Sequence, residues 1–264
     1  MIPFRPLMLL ETIDLTKTYG GVKAVEKVSI SIEKDKITSL IGPNGAGKTT
    51  FFNCITGLTT PTFGTTLFQH DVISNLKPYI ISRRGIARTF QNIRLFAEMS
   101  VIENVMVGGY IESVPTWRSF FTAIFRGSSF HKKEAALRKR AGELLDFVGI
   151  TGRFDMPSRS LSYGDKRRLE IARALASFPK LLLLDEPAAG MNGKETEDLM
   201  VLIGKIRSLG ITPFLIEHNM KMVMGISDHI IVLDHGVKIA EGTPQAIQGN
   251  AKVLEAYLGC QKAA

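Results

Sequence analysis

Cysteine and tryptophan are scarce: 264 residues carry two cysteines, Cys54 and Cys260, and one tryptophan. The cysteines lie far apart without metal-ligand spacing, so they read as two unpaired thiols in a reducing compartment. No apolar run approaches the roughly 18–20 residues that span a bilayer. Met1–Leu10 contains Pro3, Pro6 and a single arginine but no small-residue cleavage site, and so does not read as a signal peptide. A cytoplasmic location is expected. Internal repeats and low-complexity tracts are missing. Acid is the minority charge, with 25 Asp and Glu against 33 Lys and Arg and a net charge of +8. The densest basic cluster is Lys132, Lys133, Arg138, Lys139 and Arg140, diluted by Glu134. It reads as a solvated helix face, with an anionic partner as the alternative. No aromatic-studded RNA motif or helix-turn-helix pattern accompanies it, so no nucleic acid is expected as a partner.

What is present is a regular alternation. Short apolar runs end in glycine or acid and lead into helical patterns: Ile37–Ile41 into Gly42, Leu181–Leu184 into Asp185, Thr212–Ile216 into Glu217, and Ile230–Leu233 into Asp234. Continuous apolar strands alternating with helices predict an α/β fold around a mainly parallel sheet covered on both faces. Chemistry in such sheets gathers at the carboxyl ends of the strands, where these glycines and acids fall. Leu9–Glu33, with a turn at Tyr19-Gly20-Gly21, predicts short strands forming an antiparallel edge near the N-terminus. Residues 92–157 lack strand patterning and predict an inserted α-helical subdomain, leaving 1–91 and 158–264 as the core of a single domain. Within the insert, Trp117, Phe120, Phe121, Ile124 and Phe125 fall on one helical face. That stripe is read either as packing within its own subdomain or as a docking face.

Gly42-Pro43-Asn44-Gly45-Ala46-Gly47-Lys48-Thr49 fits G-x-x-x-x-G-K-[ST] in full, between a predicted strand and a helical run, Thr50–Thr56. Glycines let backbone N–H groups turn inward around phosphates, and the following helix offers its N-terminus to negative charge. Lys48 reaches the β- and γ-phosphates in such a cradle, and Thr49 supplies an oxygen to Mg²⁺. The metal-side acid follows in Leu181–Leu184-Asp185-Glu186. Asp185 is expected to hold Mg²⁺ directly or through water, and Glu186 to face the attacking water as general base.

With those residues placed, Leu161-Ser162-Tyr163-Gly164-Asp165 resembles the signature segment of ABC ATPases, just before the Asp-Glu pair. Gln91, after Arg88-Thr89-Phe90, resembles their glutamine loop. His218, after Glu217, resembles their switch histidine, and Tyr19 the aromatic residue that stacks on adenine. Arg94-Leu95-Phe96, Leu169-Glu170-Ile171-Ala172, Gly190-Met191-Asn192 and Glu255-Ala256-Tyr257-Leu258-Gly259 narrow the likeness to LivG-type ATPases of bacterial branched-chain amino-acid importers.

The resemblance implies an ATP-hydrolysing enzyme on a P-loop NTPase core, with ATP and Mg²⁺ as ligands. It implies that Gln91 contacts Mg²⁺ or the attacking water and that His218 orients that water. It places Tyr19, residues 42–50 through Thr50, and Ser162 and Gly164 around nucleotide, the last two on ATP held by a second ABC ATPase subunit. Membrane-spanning permease subunits and, indirectly, a substrate-binding protein are implied partners, with the chain peripheral on the inner face of the membrane. Alternatives are an ATPase of lipid or lipopolysaccharide export, and a non-transport ABC protein acting on ribosomes or DNA. One phosphate loop in 264 residues speaks against the last, and the Arg-Thr-Phe-Gln and Gly-Met-Asn segments favour amino-acid import.

Simpler readings stand beside several residues. Tyr19 is also a turn tyrosine, Gln91 a loop amide and His218 a core histidine, and Ser162 suits a helix N-cap. Asp165 stands where the family carries glutamine and should repel a γ-phosphate unless it points away or pairs with Lys166 or Arg167. Asn192 and Asn219 stand where acids are usual, at positions expected to set turnover and coupling.

Overall fold

The computed structural model describes residues 7–110 and 128–259. In chain order, β1 (Met8–Tyr19) and β2 (Val22–Glu33) form a hairpin, and β3 (Thr38–Ile41) leads into α1 (Lys48–Ile55). β4 (Phe63–Phe68), β5 (Asp71–Val72), α2 (Pro78–Arg83) and β6 (Ile86–Arg88) follow. Next come α3 (Val101–Gly109), α4 (Ser128–Phe147), α5 (Tyr163–Leu175) and β7 (Leu181–Asp185). The chain then runs through α6 (Gly193–Ser208), β8 (Thr212–Ile216), α7 (Met220–Ile226), β9 (His229–Asp234), β10 (Val237–Gly242), α8 (Pro244–Gln248) and α9 (Ala251–Gly259).

Six strands make the central sheet in the order β10-β9-β3-β8-β7-β6, parallel except for β10. β3, β7 and β8 are buried at every position, which is why their sequences run apolar without alternation. The pleat still sorts them. Leu182 and Leu184 enter the core shared with α3, α4, α5 and α6, whereas Leu181 and Leu183 enter the core holding Phe51 and Phe52 of α1. Both faces of the sheet are therefore covered, as the sequence predicts.

The N-terminal strands do more than edge that sheet. They form a separate antiparallel sheet, β2-β1-β4-β5, whose apolar face completes the α1 core. β1 and β2 are long, 12 residues each, rather than the short strands expected. Register shifts along their pairing break the alternation that would have disclosed their length. β6, three residues at the parallel edge, gave no sequence signal of its own.

Past β6 the described chain is helical up to α5. α3 begins with a capping box in which Ser100 accepts from the Glu103 N–H and the Glu103 carboxylate accepts from the Ser100 N–H. The basic cluster on α4 is partly neutralised by a 2.6 Å ion pair between Arg138 and Asp155. Arg140 lies over the Phe178 ring at 4.3 Å. Cys54 is buried and free, as its reading as an unpaired thiol expects. The aromatic stripe Trp117–Phe125 lies outside the described residues. Among the described residues no helix is long and apolar enough to cross a membrane.

Candidate functional site: a phosphate cradle facing two acids

β3 sits in the middle of the central sheet and delivers Gly42 at its carboxyl end. The loop then turns on itself: the Ala46 N–H donates to the Pro43 carbonyl at 3.2 Å, and the Gly236 N–H donates to the Ala46 carbonyl at 3.1 Å. Gly236 in turn accepts from the Glu26 N–H at 2.8 Å, so the turn after β9 ties the loop to the antiparallel sheet. Gly47, at φ 95°, is the N-cap of α1, and a Cβ there would come within 2.2 Å of the Ala24 carbonyl oxygen. Only glycine tolerates both the left-handed backbone and that approach. No side chain caps α1, so its first N–H groups remain available to an anion.

Lys48 opens α1 and is buried. Its ammonium donates to the carbonyls of Gly42 at 2.8 Å and Pro43 at 2.9 Å, folded over the loop it would share with phosphates. Burial lowers its pKa, and the nearby Glu186 and Asp185 carboxylates oppose that shift.

The acids arrive on β7, one strand removed from β3 in the same sheet. Asp185 is buried, and its Oδ2 accepts from Arg88 Nη2 at 2.7 Å. Arg88 is fixed in turn by bonds to Asn53 Oδ1 on α1 at 2.7 Å and to the Oγ1 of Thr56, the C-cap of α1, at 3.2 Å. This pair belongs to the site but escaped the sequence reading, because it depends on the β6–β7 register that sets Arg88 beside Leu183. Asp185 Oδ1 is buried without a hydrogen-bond partner among the described residues.

Glu186 takes a left-handed backbone, φ 46°, unusual for a residue with a Cβ. Its N–H donates to the Ile216 carbonyl at 2.9 Å, which holds the bend against β8. The bend brings its carboxylate to Gln91, whose Nε2 donates to Oε2 at 2.9 Å. His218 Nδ1 lies 3.7 Å from the same oxygen. A cavity of ≈ 290 Å³ is lined by Asn44, Gly45, Ala46, Gly47, Lys48, Thr49 and Thr50, with Ala24, Gln91 and Glu186 across it.

The structure thus brings the phosphate loop, Gln91 and Glu186 together, with Asp185 beneath and His218 beside them. It does not bring in the others. Tyr19 stands half-exposed at the end of β1 with the Lys17 ammonium 4.8 Å from its ring centroid, outside the cavity lining. Ser162 and Gly164 also stand outside that lining, at the start of α5. Ser162 is the N-cap of α5, its hydroxyl accepting from the Asp165 N–H at 3.2 Å.

Three sequence expectations need correcting or completing here. Asp165 pairs with neither Lys166 nor Arg167: its partner is Arg153 at 2.8 Å, from the turn after α4. Arg167 cannot serve because it is fully buried against Glu170. Asn192 and Asn219 are helix caps, Asn192 with Glu195 in a full capping box on α6 and Asn219 accepting from the Met222 N–H on α7. Asn caps a helix as well as Asp does, which explains how the charge is dropped without loss of the turn. Glu217 also went unremarked as a site residue. Buried, it accepts from the Ala188 N–H at 2.9 Å and the His218 N–H at 3.0 Å, tying the loop after Glu186 to the histidine.

A glycine-rich loop between a buried parallel strand and a helix, facing an Asp-Glu pair one strand away, defines a P-loop nucleoside triphosphatase. A family model described as ABC transporter matches residues 25–189, and one described as branched-chain amino acid ATP-binding cassette transporter matches 237–259. The chain belongs to the ABC transporter ATP-binding family. It is 45% identical over 252 residues to the high-affinity branched-chain amino acid transport ATP-binding protein BraF of Pseudomonas aeruginosa, covering 95% of this chain and 98% of that protein. It is 44% identical to LivG of Escherichia coli K12 over the same shares. Among solved structures, the ADP conformation of MJ1267, an ATP-binding cassette of an ABC transporter, superposes with a TM-score of 0.82 at 32% identity, covering 96% of this chain and 99% of that one. A dimeric post-hydrolysis cassette, MJ0796 with ADP and Pi, gives 0.75 at 26% identity, covering 89% and 99%.

Proposed function

We propose that this chain binds and hydrolyses ATP to power a membrane importer of branched-chain or other hydrophobic amino acids. The observation that carries the chemistry is the hydrogen bond between Gln91 and Glu186 across the cavity from Lys48. The transport reading rests on the likeness to BraF and LivG along nearly the whole chain.

The loop N–H groups and Lys48 hold the β- and γ-phosphates in this reading. Glu186 accepts a proton from water, the water oxygen bonds to the γ-phosphorus, and the bridging bond to ADP breaks. Gln91 and His218 position the water and Glu186. Thr49, Gln91 and Asp185 are the residues that would hold Mg²⁺. Their donors are oxygens, and the buried, unpartnered Oδ1 of Asp185 is an acceptor that a hard cation suits. Bound there, the metal would neutralise charge developing on the phosphates. Tyr19 is assigned to the adenine.

Ser162, exposed at the start of α5, and Gly164, buried beside Glu195 in the single chain, are assigned to a second subunit's ATP, so that two chains enclose two nucleotides. The helical insert, residues 92–157, is assigned as the subdomain that moves against the core (1–91 and 158–264). Permease subunits hold the pair at the inner face of the membrane, and a substrate-binding protein delivers the cargo.

Purification of the tagged chain from its native membrane tests this assignment. Recovery of hydrophobic permeases with a second ATPase is expected. Recovery of ribosomal proteins, or of lipid-export components, would overturn it.

A further inference from the structure

The glutamine loop has no ladder of its own. Between β6 and α3 the backbone of Phe90–Arg94 is irregular, yet Gln91 must be held where its amide meets Glu186. What holds it comes from α5. Arg167, with no exposed side-chain surface, donates from Nη1 to the Phe90 carbonyl at 2.6 Å and from Nη2 to the Gln91 carbonyl at 2.9 Å. Glu170, one turn on, pairs with Arg167 at 3.0 Å and accepts from the N–H groups of Phe90 at 3.3 Å and Arg94 at 3.4 Å. Two side chains of one helix therefore satisfy four backbone groups of the loop.

Burying such a pair is costly, and an apolar pair of similar volume is often as stable or more so. A general gain in stability thus gives little reason for these two charges beyond the four loop groups they satisfy. Geometry gives one, since a planar guanidinium fork can grip two successive carbonyls while a rounder ammonium cannot. The same guanidinium reaches the Oη of Tyr163, a half-exposed residue of the signature segment, at 3.4 Å. Tyr163 in turn lies on Gly190, where a Cβ would stand 3.3 Å from its ring. Gly190, at φ 75°, belongs to the loop that follows Glu186. The signature segment is joined to Glu186 along two routes, one through Arg167 and Gln91 and one through Gly190.

We propose that Arg167, braced by Glu170, is a positioning residue for hydrolysis that fixes Gln91 against Glu186 and ties that contact to the signature helix. This rests on the assignment of Glu186 as general base. Arg167 touches no reacting atom, and its effect passes through the Gln91 backbone.

The test is a double-mutant cycle on the full chain, with ATP turnover, KM for ATP and melting temperature measured for Arg167→Lys, Gln91→Ala and the double variant. Arg167→Lys keeps the charge for Glu170 and loses the fork. The expected result is kcat lower by about tenfold, the loss of one charge-assisted hydrogen bond, with KM changed by less than about twofold. In the Gln91→Ala background the same substitution should change kcat no further. Losses that multiply across the two sites would overturn the proposal, as would a lower melting temperature with kcat unchanged. Should Arg167→Lys fail to fold, Arg167→Gln, which keeps a donor for the loop and leaves Glu170 beside Arg173, takes its place in the cycle. A Glu186→Gln arm separates the two claims. If that variant hydrolyses ATP normally, the base assignment fails. If it is inactive and the cycle is still multiplicative, only the positioning role fails.

Discussion

Lys48 illustrates how a single side chain is held ready. Burial lowers the pKa of its ammonium, two carboxylates oppose that shift, and two loop carbonyls occupy its donors. Lys48→Ala removes charge-assisted contacts worth about 1.5–3 kcal/mol each, so ATP affinity should fall by about tenfold to a hundredfold in calorimetry. Unchanged affinity would mean that the loop does not hold the phosphates. The residues of the cradle were legible in the sequence because Gly47, Lys48 and Thr49 stand at fixed chain offsets in one motif. Arg88 and Glu217 were not, because each acts on a partner brought near only by the fold, Asp185 across β6–β7 and Ala188 across β7–β8. Asp165 shows the same limit. Its neighbours in sequence were the obvious cations, and its actual partner is the side chain of Arg153.

Elements were legible where burial imposes a pattern. β3, β7 and β8 are apolar throughout because both faces are covered, and their ends announce the loop, the acids and the histidine. β6 is too short to show a pattern, and the bulged pairing of β1 with β2 blurs theirs. Helix starts depend instead on caps. At α3, hydrogen bonds from the Ser100 N–H and hydroxyl hold the Glu103 carboxyl below its ordinary 4.5. A lowered folded pKa adds stability above the unfolded value, which is lost as pH falls through the folded one. Ser100→Ala should therefore cost about 1 kcal/mol at neutral pH, and the cost should shrink on acidification below 4.5. Denaturant melts of both proteins at pH 7 and at acid pH check this. A difference independent of pH would place the cap's contribution elsewhere than in Glu103.

At the scale of the molecule, the cavity gathers Lys48, Thr49, Gln91 and Glu186, while Ser162 and Gly164 start α5 outside it. We propose that closure over nucleotide needs a second subunit's signature segment, so that assembly and hydrolysis are coupled. The measurement that reaches this claim most directly is ATP turnover and subunit association of Glu186→Gln, with and without ATP. The account predicts that ATP still binds, that hydrolysis falls by about two to four orders of magnitude, and that an ATP-dependent dimer accumulates on gel filtration. Turnover near that of the unmodified chain would contradict it.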